Sequence, residues 1–162
     1  MTHALRRSDL GITDHTEIER ILSDARYATI ALADGDEPYV VTLSCGYDAA
    51  ARRLCFHVAE SGRKLDIIAR NPKACATVVG DLGYLHGACA HPYESVVASG
   101  RMRVLDDPHD IRCAMRVLIG QLETAEDAEE IFARHELDDA ATLRRFRLLV
   151  LEIDSMSAKR GQ

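Results

Sequence analysis

The chain switches repeatedly between two hydrophobic patterns, and these switches mark out the predicted strands and helices. Dense apolar runs, typical of strands, occur at 27–33, 39–45, 54–58, 73–79, 94–105 and 146–153. Apolar residues recur at helical spacing in 17–25, 65–69, 107–120 and 125–135. The predicted order is therefore a helix, three strands, a helix, two strands, two helices and a last strand.

Cap and turn residues support these boundaries. Thr13 or Asp14 can cap the first helix, and Glu17 can reach back to the cap. Asp107 is placed to cap the third helix, and Gly100 interrupts the long fifth strand, which predicts a β-bulge. Successive strands joined by short turns favour an antiparallel sheet. Six strands with a few covering helices predict a mainly β fold with flanking helices, closed as a barrel.

Length and charge narrow the class of protein. The 162 residues are expected to form one domain, 1–162, in which residues 1–12 are an N-terminal arm. The net charge of −6 argues against nucleic-acid binding, which needs a basic surface. The chain lacks an apolar run of about 18 residues, so no membrane span is expected. It also lacks the apolar segment of a signal peptide, which favours the cytoplasm. The 5 cysteines, an odd number without paired spacing, indicate free thiols in a reducing compartment.

The segment 56–66 holds the most informative chemistry. A predicted strand ends, Ser61 and Gly62 form a turn, and Arg63 and Lys64 begin a helix. Cations at a helix N-terminus oppose the helix dipole, but they suit a bound phosphate. Gly62 would let the backbone approach the phosphate, Ser61 could donate a hydrogen bond, and Arg63 could grip two oxygens. A solvated basic pair on a surface turn is the alternative interpretation.

Several segments, taken in order, resemble one known family. They are 6–9, 17–25, 38–43, 56–57, 61–72 and 93–102. Together they resemble the pyridoxamine 5′-phosphate oxidase-like FMN-binding split barrels, and the branch with the nitroimidazole-resistance (Nim-type) proteins is the closer match. The resemblance covers almost all of residues 6–158. Its specificity comes from the order and spacing of the segments, since no single motif decides it.

The resemblance implies an antiparallel split β-barrel, a homodimer, and two FMN sites between the subunits. It assigns Arg63 and Lys64 to the phosphate. The remaining cofactor-binding residues that it implies are Val40, Val41, Thr42 and Leu43 along the isoalloxazine, Phe56 and His57 beside the ribityl chain and ring, and Ser95 and Val96 from the other subunit.

His57 is the candidate catalytic residue. It ends a predicted strand beside the basic turn, and in the Nim-type branch a histidine here lies near the flavin and has been linked to activity. It could donate a hydrogen bond to flavin or substrate, or act as an acid. A hydrogen-bonded strand histidine without chemistry is the alternative.

The segment 80–92 is expected to shape the substrate side, and it departs from the family because it is shorter and less aromatic. His86, Cys89 and His91 occur in this segment, but four ligands at zinc-like spacing are missing, so no metal site is expected. A polar loop is the preferred interpretation.

Three functions remain open. The leading hypothesis is an FMN-dependent oxidoreductase that passes electrons from a reduced nicotinamide, or from another flavoprotein, to a small planar acceptor such as a nitroaromatic. A flavin-binding protein without catalysis is the second. Haem binding through His57, His86 or His91 is the third. A true pyridoxamine phosphate oxidase is disfavoured, because the basic C-terminal substrate segment is missing.

Overall fold

The structure, a computed structural model, describes residues 6–161, which form eight strands and five α-helices. The strands are β1 (Gly11–Ile12), β2 (Tyr27–Asp34), β3 (Glu37–Ser44), β4 (Gly46–Asp48), β5 (Arg53–Val58), β6 (Lys73–Asp81), β7 (Tyr93–Val104) and β8 (Arg147–Gly161). The helices are α1 (His15–Asp24), α2 (Arg63–Arg70), α3 (Pro108–Leu122), α4 (Ala125–Arg134) and α5 (Ala140–Leu143).

All neighbouring strands pair antiparallel, in the order β3-β2-β6-β7-β8-β5-β4, and β1 pairs with β8. The sheet curls into a split barrel with flanking helices, which confirms the predicted fold class. Residues 1–5 of the predicted N-terminal arm lie outside the described residues. Gly11–Ile12, at the end of that arm, forms a short strand that the sequence did not predict.

Strand β8 separates two hydrophobic cores, because its alternate side chains point to opposite faces of the sheet. Leu149 and Leu151 enter the barrel core, which α1 and α2 also cover. Leu148 and Val150 enter a second core beneath α3, α4 and α5. Both faces of the strand are buried, and this explains its continuous apolar run. Strand β5 is divided in the same way, with Phe56 in the barrel core and Cys55 beneath the helices.

The helix starts follow the predicted caps, with one change. Asp14 accepts a hydrogen bond from the Thr16 N–H at 2.9 Å, and Asp107 accepts one from the Asp110 N–H at 3.0 Å. Glu17 does not reach back to its cap, because its carboxylate pairs with Arg160 of β8. This ion pair links α1 to the sheet.

The predicted bulge at Gly100 is confirmed. The register of β7 against β8 shifts between Ser99 and Gly100. A Cβ atom at Gly100 would lie 1.8 Å from the carbonyl oxygen of Glu152, so no side chain fits there without moving the neighbouring strand.

No helix within residues 6–161 is long and apolar enough to cross a membrane.

Candidate functional site

The turn between β5 and α2 presents two cations at an uncapped helix start. Gly62 precedes the helix with φ +138°, a conformation that glycine adopts readily and other residues do not. No side chain caps α2, whereas the other four α-helices described here each have a capping side chain. Arg63 and Lys64 follow directly. A bound anion would interact favourably with the first-turn N–H groups and with both cations.

The side chain of Arg63 contacts the beginning of β3. Its Nη2 lies 3.3 Å from Oε2 of Glu37, and its guanidinium lies 5.0 Å from the centre of the Tyr39 ring. Both members of the ion pair are exposed, so the pair contributes little to stability. A ligand anion can therefore replace Glu37 at small cost, while Tyr39 keeps the guanidinium in place.

Strand β3 connects this turn to a second feature at its other end. It is the outermost strand of the sheet and pairs only with β2 within residues 6–161. Its free edge offers backbone N–H and C=O groups to a ligand. From Tyr39 to Thr42 the strand advances about 10 Å. A molecule with a phosphate at one end and a ring at the other would follow this edge.

An open cleft of about 480 Å³ lies at the end of β3, between the strands and the helical layer. Thr42 and Leu43 of β3 and His57 of β5 line one side. The opposite wall is formed by apolar side chains of α3 and α4, together with one carboxylate: Met115, Leu118, Ile119, Leu122, Ile131 and Glu123.

His57 enters this cleft because it faces the same side of β5 as Cys55, beyond the part that the helices cover. Its ring lies 5.7 Å from the Phe146 ring, tilted by 54°. The ring remains accessible from the open side of the cleft, but neighbouring atoms enclose it elsewhere. This partial burial lowers the pKa of His57 below its ordinary value of 6.5. The imidazole is therefore mainly neutral at pH 7.

The structure brings together some of the predicted site residues. Thr42, Leu43 and His57 meet in the cleft, and Arg63 meets β3 at its opposite end. Among the others, Val40 is exposed on the sheet face and Val41 is half-buried. Ser61 is exposed, as is Gly62, and Lys64 is half-buried.

The side chains of three predicted residues lie outside the cleft and away from the free edge of β3. The side chain of Phe56 is fully buried in the barrel core, so only its backbone is available to a ligand at the surface. Ser95 and Val96 are buried in β7, three strands away from β3, or roughly 14 Å. Within one chain they do not reach the edge of β3. A contact from the other subunit, as the resemblance implies, stays a prediction.

The sequence profile of the pyridoxamine 5′-phosphate oxidase family matches residues 14–160. The chain belongs to this family. The predicted family is thereby confirmed. No curated protein matches the chain significantly in sequence.

Solved structures agree on the fold of this family member. A candidate 5-nitroimidazole antibiotic resistance protein from Bacteroides thetaiotaomicron is 22% identical, with a TM-score of 0.73, over 99% of this chain and 96% of that one. The flavocytochrome Anf3 from Azotobacter vinelandii is 19% identical, with a TM-score of 0.75, over 98% and 72%. An FAD and haem binding protein from Mycobacterium smegmatis is 18% identical, with a TM-score of 0.74, over 94% and 73%.

The donor set of this family member fits a flavin phosphate. Arg63, Lys64 and the uncapped start of α2 supply two charges and backbone N–H groups at one point. The positive φ of Gly62 keeps side-chain bulk away from that point. The free edge of β3 begins beside it and leads to the cleft. The spacing of charge, edge and cleft matches a phosphate, a short chain and a ring.

Sequence reasoning missed several residues of the site. Glu37 and Tyr39 hold the side chain of Arg63, but they are separated from it by two strands along the chain. Most of the cleft wall comes from α3, which the sequence predicted as a helix but not as part of a site. Glu123 follows that helix directly, and its place in the cleft has no local sequence signal.

The 82–92 loop lies apart from the cleft. Leu85 and Ala90 pair across it, and Nε2 of His91 lies 2.9 Å from Oδ1 of Asp81. The Tyr84 ring stands edge-on to His86 at 5.2 Å and to His91 at 5.8 Å. Both histidines thus pack locally. Within the part of the chain that the structure describes, no three His, Cys, Asp or Glu side chains group as metal ligands.

Proposed function

We propose that the protein binds FMN along β3 and acts as an oxidoreductase that reduces a small planar acceptor such as a nitroaromatic. One observation carries the proposal: the single uncapped α-helix start among the described residues bears two adjacent cations, at the end of a free strand edge that leads to a cleft. The bound flavin would supply hydride or single-electron transfer, and a reduced nicotinamide would supply the electrons.

Different residues would bind the phosphate, orient the ring and contact the acceptor. Arg63 and Lys64 bind the phosphate, and the backbone of Val40–Leu43 orients the ring. His57 lies where the acceptor would enter, so its neutral imidazole can donate a hydrogen bond to the acceptor. Its protonated form, the minor one at pH 7, could deliver a proton as charge develops there and return to the neutral imidazole. The helical wall excludes water from one side of the cleft, which strengthens such hydrogen bonds.

The proposal includes a homodimer with the flavin between the subunits. Tyr27, Val40 and Val79 are 62%, 61% and 62% exposed, and Val97 is 37% exposed. Strand register places all four on one outer face of β3, β2, β6 and β7. Covering this face with a second copy would bury it and would bring the partner's β7 near the edge of β3. The cytoplasm suits the 5 cysteines, all of them unpaired.

The test is FMN titration of the purified protein, followed by flavin fluorescence and visible absorption. Arg63→Ala/Lys64→Ala should weaken binding at least tenfold, since charge-assisted phosphate contacts contribute about 1.5–3 kcal/mol each. Arg134→Ala/Arg144→Ala removes the same charge from the helical side and should bind like the unchanged protein. Equal binding by both double variants, or no binding by the unchanged protein, would contradict the proposal. Identification of the released flavin distinguishes FMN from FAD.

Catalysis requires a separate measurement. The flavin-loaded protein should oxidise reduced nicotinamide faster when a nitroaromatic acceptor is present. Binding without turnover, across several donors and acceptors, would favour the non-catalytic flavin protein.

Haem is the second candidate ligand, and the cleft favours it through one observation. His57 presents a neutral imidazole, the form that ligates iron, opposite a largely apolar wall. A Soret band that appears on haem addition and is lost in His57→Ala would support this candidate. A Soret band that survives in His57→Ala would exclude His57 as the ligand.

A further inference from the structure

The cleft beside His57 combines a largely apolar wall with a single carboxylate. Its wall is largely apolar, which suits the faces of a planar aromatic molecule. Of the residues that line it, Glu123 carries the only full charge at neutral pH, because the pKa of His57 is lowered by partial burial. No Lys or Arg of residues 6–161 lines the cleft.

Glu123 has no competing partner among the described residues. No basic side chain of residues 6–161 lies within 4.0 Å of its carboxylate, whereas Glu129 and Glu130 of α4 pair with Arg116 and Arg134 at 2.8 Å and 3.5 Å. Its charge is therefore available to a ligand in the cleft.

The backbone adds negative potential at the same place. Glu123 follows the last turn of α3, where the helix dipole places partial negative charge. Gln121 fixes this helix end, because its side chain accepts from the Tyr47 N–H at 2.7 Å and donates to the Ala25 carbonyl at 2.6 Å. Carboxylate and helix end are thus held together beside the apolar wall.

We infer that the cleft selects its ligand by charge: it binds aromatic molecules that are cationic or neutral and rejects those that carry a carboxylate or phosphate. This inference rests on the proposed function for the role of the ligand as electron acceptor. The turn between β5 and α2 would then favour anions, whereas the cleft would disfavour them. A phosphate-bearing cofactor would therefore bind along β3 in one direction only, with its phosphate at the turn and outside the cleft.

Three probes with one ring test the inference: 4-nitrobenzylamine, 4-nitrobenzyl alcohol and 4-nitrobenzoate. Binding is measured by calorimetry at low salt in the absence of any reductant, with and without FMN. The amine should bind about two- to fivefold more tightly than the alcohol, as expected for one partly exposed charge pair, and the carboxylate should bind most weakly. The difference should shrink at high salt, where exposed charges are screened.

Variants at Glu123 separate charge from shape. In Glu123→Gln the amine and the alcohol should bind with equal affinity. In Glu123→Lys 4-nitrobenzoate should become the most tightly bound of the three probes. Glu19→Gln, which removes an exposed carboxylate on α1, should keep the original order. An unchanged order in Glu123→Gln, or tight carboxylate binding by the unchanged protein, would overturn the inference.

The two proposals fail in different ways. A flavin spectrum without binding of any probe, or without a charge order, would overturn the cleft inference and leave the flavin proposal standing. A charge order that depends on Glu123, in a protein that binds no flavin, would overturn the proposed function and leave the cleft as a ligand site.

Discussion

At the scale of single residues, the protonation of His57 follows from its place in β5. Cys55, two residues earlier on the same face, is fully buried beneath the helices, while His57 lies where that cover ends. Burial penalises the charged imidazole, so folding lowers the pKa of His57 below 6.5. The folded protein therefore holds fewer protons at this site than the unfolded chain.

Stability should consequently fall as the pH drops below about 6.5. In that window the unfolded chain takes up a proton at His57 that the folded protein binds more weakly, so protonation favours unfolding. Urea unfolding of the cofactor-free protein at pH 8 and pH 5.5 measures the effect, and ordinary carboxyl groups stay ionised at both. His57→Gln should lose less stability between the two pH values than the unchanged protein. His86→Gln, in the exposed 82–92 loop, should behave like the unchanged protein.

Two glycines give opposite predictions for the same substitution. Gly100→Ala should lower the free energy of unfolding by roughly 1–3 kcal/mol, because the new Cβ overlaps the Glu152 carbonyl across the bulge. Gly120→Ala should raise it by about 0.5–1 kcal/mol, since Gly120 lies within α3 with nothing within 4 Å of a new Cβ. Chemical denaturation of both variants is the measurement. Equal effects would contradict the described bulge.

At the scale of elements, α2 begins with two cations and without a capping side chain, an arrangement that does not favour the helix itself. Its first turn carries Arg63 and Lys64, where acidic residues would favour the helix dipole. Lys64→Glu should therefore stabilise the cofactor-free protein by about 0.3–1 kcal/mol and, at the same time, weaken FMN binding. Thermal unfolding and FMN titration of the same sample measure the two effects. If the substitution lowered both, Lys64 would serve the helix rather than the ligand.

The elements also separate what local sequence specifies from what it does not. Strong local signals, such as the Asp107 cap and the Gly100 bulge, were predicted correctly. The prediction ended the last strand at residue 153, although β8 continues to Gly161. Beyond residue 153 most residues of the strand are polar or small, and the strand is held mainly by its pairing with β7 and β1. β1 and β4 are too short to carry a pattern.

The candidate site also has one part that the sequence predicted and one part that it did not. The β5–α2 turn was predicted because its glycine, cations and helix start are consecutive in sequence. The cleft was not, because it forms only where α3 packs over β4 and β5 and faces the end of β3, and these strands lie far from α3 in the chain. Its polar group Glu123 belongs to no motif.

At the scale of the whole molecule, the exposed face of β2, β3, β6 and β7 predicts the oligomeric state. If the proposed dimer forms through this face, Val79→Lys/Val97→Lys should convert it to a monomer by placing charge in the interface, and flavin binding should fall with it. Ala141→Lys, at an exposed position on α5, should leave the dimer intact. Sedimentation velocity measures both. A monomeric unchanged protein that binds flavin would contradict the dimeric site.

Strand β8 has a consequence for how the protein is made. Among the described strands it alone joins the half-sheet β3-β2-β6-β7 to the half-sheet β5-β4, and it follows all of them along the chain. Until it emerges, the nascent chain carries two apolar half-sheets with open edges, which are prone to aggregate. Chaperone protection during translation should matter most in that interval. A premature stop codon within β8 would therefore produce an unclosed chain for degradation rather than a shorter working barrel.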